Sequence, residues 1–215
     1  MKRMSILCIA GFMLLFFNLI CNYCFAQQPL GEGIVKPRIE AGTKLYLYSG
    51  QLIDELLHHG AIKDSLTFVK GQYNVEIGTA PPWFAPEFLK LDYDIFQLRA
   101  ITISRNWIEV IVNRQTGKTA WVDRNAVTYE SWPEFFLEVF SVELISSIKN
   151  PLRIKPMENA SIVADAGKNS LRPVAIRGEW MKVAIETDSP EAKPRLGWIR
   201  WKKGNQVLIT WSLLS

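Results

Sequence analysis

The residues that could do chemistry are few, and their spacing argues against most reactions. His58 and His59 are the only histidines. Neighbours on a helix point to different sides, so the two cannot chelate one metal as an i, i+4 pair would. No serine has a histidine partner elsewhere in the chain for a nucleophilic triad. Asp92 and Asp94 would share one side of a strand and suggest a carboxylate pair, but no further ligand accompanies them for a metal or a glycosidase site. Thr116-Gly117-Lys118-Thr119 resembles the end of a phosphate-binding loop. That pattern needs glycine at 112, where Val112 stands, and a helix afterwards, where a strand follows, so the stretch reads as a hairpin turn. The three cysteines, Cys8, Cys21 and Cys24, all fall within the first 26 residues. The remainder has no disulfide, thiol nucleophile or cysteine-ligated metal. These residues predict a protein that is not an enzyme and carries no cofactor and no metal.

The leader itself is legible. Lys2 and Arg3 precede an apolar run from Ile6 to Ile20, and Cys24-Phe25-Ala26 offers small residues at the positions a signal peptidase reads. The run is shorter than the ~20 residues of a comfortable span, which favours a cleaved leader over a retained anchor. Ile20 before Cys21 and Tyr23 before Cys24 are too large for a lipoprotein signal. Residues 1–26 are therefore expected as a signal peptide, and the protein as exported, periplasmic or extracellular. Lys2 and Arg3 account for two of the 25 basic side chains, so the rest carries 23 bases against 21 acids. A near-neutral balance argues against nucleic acid as partner. No later stretch is apolar enough to span a membrane.

The elements follow from periodicity. Residues 27–42 are polar with Gly and Pro and are expected as a flexible lead-in. Residues 43–48 alternate as a strand. Leu52, Ile53, Leu56 and Leu57 fall on a helical face that Gly60 ends, which suits a short helix. Residues 65–69 and 73–77 read as short strands, 80–88 as an irregular aromatic loop, and 96–104 as a strand leading to Trp107. Ser131-Trp132-Pro133-Glu134 carries a capping-box pattern for a helix through Phe140, with Phe135, Phe136 and Val139 inward. The β-branched residues of 139–148 suit a strand as well.

Two stretches share one grammar. Trp107-Ile108-Glu109-Val110, a loop at 114–118, then Trp121-Val122 is matched by Trp180-Met181-Lys182-Val183, a loop at 187–195, then Trp198-Ile199. Gly178-Glu179-Trp180-Met181-Lys182-Val183 followed by Gly197-Trp198-Ile199 resembles the bacterial Src-homology-3 domain, a small five-stranded β-barrel. The resemblance covers most of residues 150–215 and, more loosely, 43–130. It implies an all-β protein of two SH3-like barrels packed together: a first barrel at 43–130 with an insertion at 49–95, a connecting segment at 131–149, and a second barrel at 150–215. The second barrel's first strand is expected at 151–156 and its last at 206–211.

Eight tryptophans remain, all after the leader. Trp121 and Trp198 lie mid-strand beside β-branched residues and are expected in the core. Alternation puts Trp180 with Lys182 and opposite Met181, Val183 and Ile185, so Trp180 should face outward; Trp107 repeats the arrangement. In the resembling family that position often lines a peptide groove. Trp83, Phe84 and Tyr93 are loop candidates for the first copy and Trp201 a rim candidate for the second. Rings between polar residues fit recognition of an extended peptide or a sugar, while the same rings could instead close a small core. By resemblance the partner would be a peptidoglycan peptide or a protein segment. The alternative is a scaffold module that docks onto a partner protein with no small ligand.

Overall fold

The computed structural model describes residues 29–50, 62–163, 170–185 and 194–214. The expected leader, the helical face at 52–57, and His58 and His59 lie outside them. The fold is all-β with one short helix.

The first sheet curls into a half-barrel. Its strands are β1 (Gly33–Pro37), β2 (Lys44–Tyr48), β3 (Ile62–Lys70), β4 (Val75–Thr79), β5 (Phe88–Lys90), β6 (Ile95–Ile103), β7 (Trp107–Asn113), β8 (Lys118–Asp123) and β9 (Val127–Ser131). They lie in the order β4-β3-β2-β8-β7-β6-β1-β9, with β5 also on β6. Alternation explains the cleanest of them. In β2, Leu45 and Leu47 are buried while Lys44 and Tyr46 face solvent. The β7–β8 turn needs a positive φ, and Gly117 supplies it at 73°.

Two expectations fail here. The lead-in holds a strand: β1 pairs with β6 on one side and β9 on the other, and Gly33, Ile34, Val35 and Pro37 are buried. A side chain at Gly33 would meet the Glu130 carbonyl oxygen, so glycine is required by close approach. Nor do residues 62–95 stand apart as an insertion, since β3, β4 and β5 pair within the same sheet. β3 with β4 and β5 with β6 are local hairpins, and it is their joining to β2 and β6 that draws the stretch into the sheet.

After β9 the chain enters α1 (Trp132–Glu138) through the expected capping box: the Ser131 backbone N–H donates to Glu134 at 2.8 Å. The Ser131 hydrogen bonds hold the Glu134 carboxyl below its ordinary value. Phe135, Phe136 and Val139 face inward, as the periodicity predicts. The stretch after the helix takes the strand option as β10 (Ser141–Leu144).

The second sheet orders as β13-β12-β11-β10-β16, from β11 (Leu171–Arg177), β12 (Trp180–Ile185), β13 (Arg195–Arg200) and β16 (Ile209–Ser212). A small ribbon, β14 (Lys202–Lys203) with β15 (Gln206–Val207), adjoins it. The strand expected at 151–156 reduces to bridges from Arg153 to Ile162 and Trp198, and β10 from the connecting segment takes a full place in the sheet. The last strand, expected at 206–211, is broken at Leu208 between β15 and β16. Leu152 is buried against Gly197, whose missing side chain leaves the room it needs.

Two apolar clusters form, one within the first sheet and one between α1 and the second sheet. β1 contributes to both, Val35 to the first and Ile34 to the second. Lys36 on β1 ties the seam by bonding Glu130 on β9 at 2.5 Å and Glu138 on α1 at 3.0 Å. Burial works against its charge, but those hydrogen bonds outweigh it and raise its pKa.

Candidate functional site

Hairpin register decides which rings reach solvent. In the β12–β13 pair, Trp180 lies opposite Arg200, Met181 opposite Ile199, and Lys182 opposite Trp198. Residues directly opposite share a face. Met181, Val183, Ile185 and Ile199 are buried, so Trp180, Lys182, Trp198 and Arg200 occupy the outer face. Trp180 is placed as alternation predicts. Trp198 is not: it is half-buried outside the core, with the Arg177 guanidinium 6.0 Å from its ring. Trp121 is likewise only half-buried, while its neighbour Val122 takes the core position.

The same register carries Trp201 inward after Ile199. Expected at a rim, it is 2% exposed, lies 5.2 Å from the Phe136 ring and donates its indole N–H to the Gly178 carbonyl at 2.8 Å. A single error of phase, placing Trp198 inside, produced both misplacements.

The remaining candidates do not converge. Trp83 and Phe84 pack onto the first core; Phe84 meets Phe96 edge-on at 5.8 Å, and the Lys118 ammonium sits 3.3 Å over Trp83. Their loop is fixed by Asn113 Nδ2 donating to the Trp83 carbonyl at 2.5 Å and by Arg99 bonding Glu87 at 2.6 Å. Tyr93 is 55% exposed on the turn Leu91–Tyr93, with Lys90 4.0 Å over its ring. Trp107 lies on the outer face of β7, edge-on to Tyr48 at 4.8 Å. Burial, followed by the charge of Asp123, raises the Tyr48 pKa. Asp92 and Asp94 sit on that same turn rather than on a strand, Asp94 with φ 55°. Among the described residues no group of three or more His, Cys, Asp or Glu could hold a metal.

Trp180 borders a cleft of about 600 Å³, whose apolar lining is completed by Pro151 and Leu208. Its polar lining is cationic: Lys149, Arg153, Arg200 and Lys203 against the single carboxylate of Glu158. The Arg200 guanidinium sits 5.9 Å from the Trp180 ring. It is aimed by Glu179, whose Oε2 accepts from Nε at 3.1 Å and Nη2 at 2.6 Å. Glu179 is itself fixed, since Oε1 accepts the Gly204 N–H at 2.8 Å. That bond and the one from Arg200 hold its carboxyl below the usual value, and Glu179 in turn raises the Arg200 pKa. Asn150, buried, pins the Arg200 backbone: its Nδ2 donates to the Arg200 carbonyl at 2.7 Å and its Oδ1 accepts the Arg200 N–H at 3.1 Å. The amide side chain stands in for a neighbouring strand.

Sequence reasoning missed Arg200, Glu179, Glu158 and Asn150. The first was within reach, because counting back from the β12–β13 loop sets Arg200 opposite Trp180. Asn150 and Glu158 had no local signal. Comparison of the chain with protein-family models, with curated proteins and with solved structures returns no match.

Proposed function

We propose that this is an exported, non-catalytic binding protein of the cell envelope that recognises a peptidoglycan peptide or a protein segment, built on the bacterial SH3-like plan. The observation that carries the reading is the Trp180–Arg200 pair, a large ring held outward on a rigid strand beside a cleft. Such anchors often contribute ~2 kcal/mol or more to binding. Export rests on the leader pattern of residues 1–26. Among the described residues no helix is long and apolar enough to cross a membrane.

The scaffold reading draws on a different observation. Ile148 is 93% exposed, and Ile154, Met157 and Ile162 are exposed on the chain that adjoins the cleft. Exposed apolar side chains of this kind suit a protein partner.

The test is a pulldown with purified cell-wall sacculi, compared between the native chain and Trp180→Ala. The envelope-ligand reading expects retention by sacculi and about a tenfold loss on Trp180→Ala, with thermal stability nearly unchanged. Absence of retention, with capture of a defined protein partner instead, would move the conclusion to the scaffold reading.

A further inference from the structure

The cleft beside Trp180 has a charge pattern that Trp180 alone does not explain. Arg200 is held from behind by Glu179, which is anchored to the Gly204 backbone. Its remaining edge, Nη1, faces the cleft and bonds Glu158. Glu158 differs from Glu179 in every relevant respect. Its side chain is 72% exposed, it sits on the loop between Arg153 and its bridge partner Ile162, and no other hydrogen bond fixes it among the described residues. Exposed ion pairs of this kind are weak and readily exchanged. A second carboxylate could therefore take its place at little cost.

The surroundings favour such an exchange. Lys149 and Lys203 line the same cleft, and neither has a carboxylate partner among the described residues. Arg153 uses Nη1 on the Ala160 carbonyl at 2.7 Å, which fixes the loop that carries Glu158. Pro151, Leu208 and the Trp180 ring supply apolar contact between the cations. Ile154, Met157 and Ile162 extend apolar surface along the bordering loop.

We propose that the cleft takes an acidic protein segment with interspersed apolar residues, one of whose carboxylates replaces Glu158 on Arg200. Glu158 is then a resident stand-in for the ligand and lowers apparent affinity by competing with it. The proposal rests on Trp180 as a binding residue and adds the chemistry of what it binds. An acidic peptide is favoured over nucleic acid because the chain beyond the leader is nearly neutral, and a phosphate backbone asks for a longer basic track.

The experiment uses the secreted chain and two fluorescein-labelled hexapeptides, one alternating Glu with Leu and one alternating Gln with Leu, followed by fluorescence anisotropy. The acidic peptide should bind about tenfold more tightly, and its binding should weaken as salt rises to roughly 0.3 M. The Lys149→Gln/Lys203→Gln pair should lose most of that preference. Glu158→Gln should bind the acidic peptide several-fold more tightly than the native chain. Circular dichroism checks that each variant is folded. Equal affinity for both peptides, or weaker binding by Glu158→Gln, overturns the proposal. So does an unlabelled oligonucleotide that displaces the acidic peptide more effectively than the peptide displaces itself. Failure of the underlying reading looks different: Trp180→Ala would then leave binding of both peptides, and retention by sacculi, unchanged. If Trp180→Ala weakens both peptides equally and neither is preferred, Trp180 binds and the charge proposal falls.

Discussion

Ile34 and Val35 are consecutive residues on β1, both 0% exposed, and they belong to different cores. Strand alternation sends Val35 among Leu45, Leu98 and Val110 and Ile34 among Trp132, Phe136 and Met181. A strand with one wet face would carry a polar residue at one of the two positions. Here both are apolar because both faces are covered. Ile34→Ala is expected to cost about 2–5 kcal/mol, as for other fully buried aliphatic truncations. The loss should register in urea unfolding whether far-ultraviolet dichroism or tryptophan fluorescence is the probe. A cost under about 1 kcal/mol would mean the second cluster does not depend on β1.

The two tryptophans of the last hairpin should answer oppositely to truncation. Trp201→Ala removes a ring from among Phe136 and its neighbours and leaves the Gly178 carbonyl without its indole donor. It should cost about 3–5 kcal/mol. Trp198→Ala removes a half-buried ring from the outer face and should cost about 1 kcal/mol. Denaturant midpoints of the two variants give the ranking directly. The reverse order would put Trp198 in the core and undo the register described for β12 and β13.

Glu179 sets a pH dependence whose sign is fixed. Its hydrogen bonds from Gly204 and Arg200 hold its folded-state pKa below the ordinary 4.5. On acidification the unfolded chain takes up this proton first. The stabilisation is therefore complete above 4.5 and is lost as pH falls through the folded value. Glu134, held down by Ser131, acts in the same direction. Glu179→Gln should be less stable than the native chain near pH 7, and the difference should shrink as pH falls below 4.5. A difference that stays constant across that range would assign the loss to packing rather than to charge.

The sequence discloses what short-range periodicity controls. Alternation in Trp180–Ile185 placed Met181, Val183 and Ile185 inside, and the Ser131–Glu134 spacing located the start of α1. The all-β class was implied by the resemblance that the two Trp hairpins carry. What it hid is pairing at long range. Nothing in Gly33–Pro37 announces that β6 and β9 will flank it, and its Gly and Pro content reads as a loop. For Trp198 the local cue misled, because a Gly-Trp-Ile run fits a strand in either phase. The cross-strand partner Lys182 resolves the phase, and that information lies on the other arm of the hairpin. Of the candidate site, Trp180 was legible by alternation. The groups that aim Arg200 at it come from the β11–β12 turn and from the loop after β10, and only the folded chain brings them together.

The position of β1 also constrains the order in which the molecule can assemble. Its Lys36 meets Glu130 across 94 residues of chain, and both clusters are incomplete without it. Although β1 is synthesised before every other described strand, its pairing is complete only once both β6 and β9 exist. Closing so long a loop carries an entropic cost that is met before the contacts repay it. Until β1 is seated, the half-barrel is open along the slot between β6 and β9. During that interval the edges of β6 and β9 are unpaired and available to other chains. A slow return of the N-terminal strand to its slot is therefore expected to lower folding yield at high concentration.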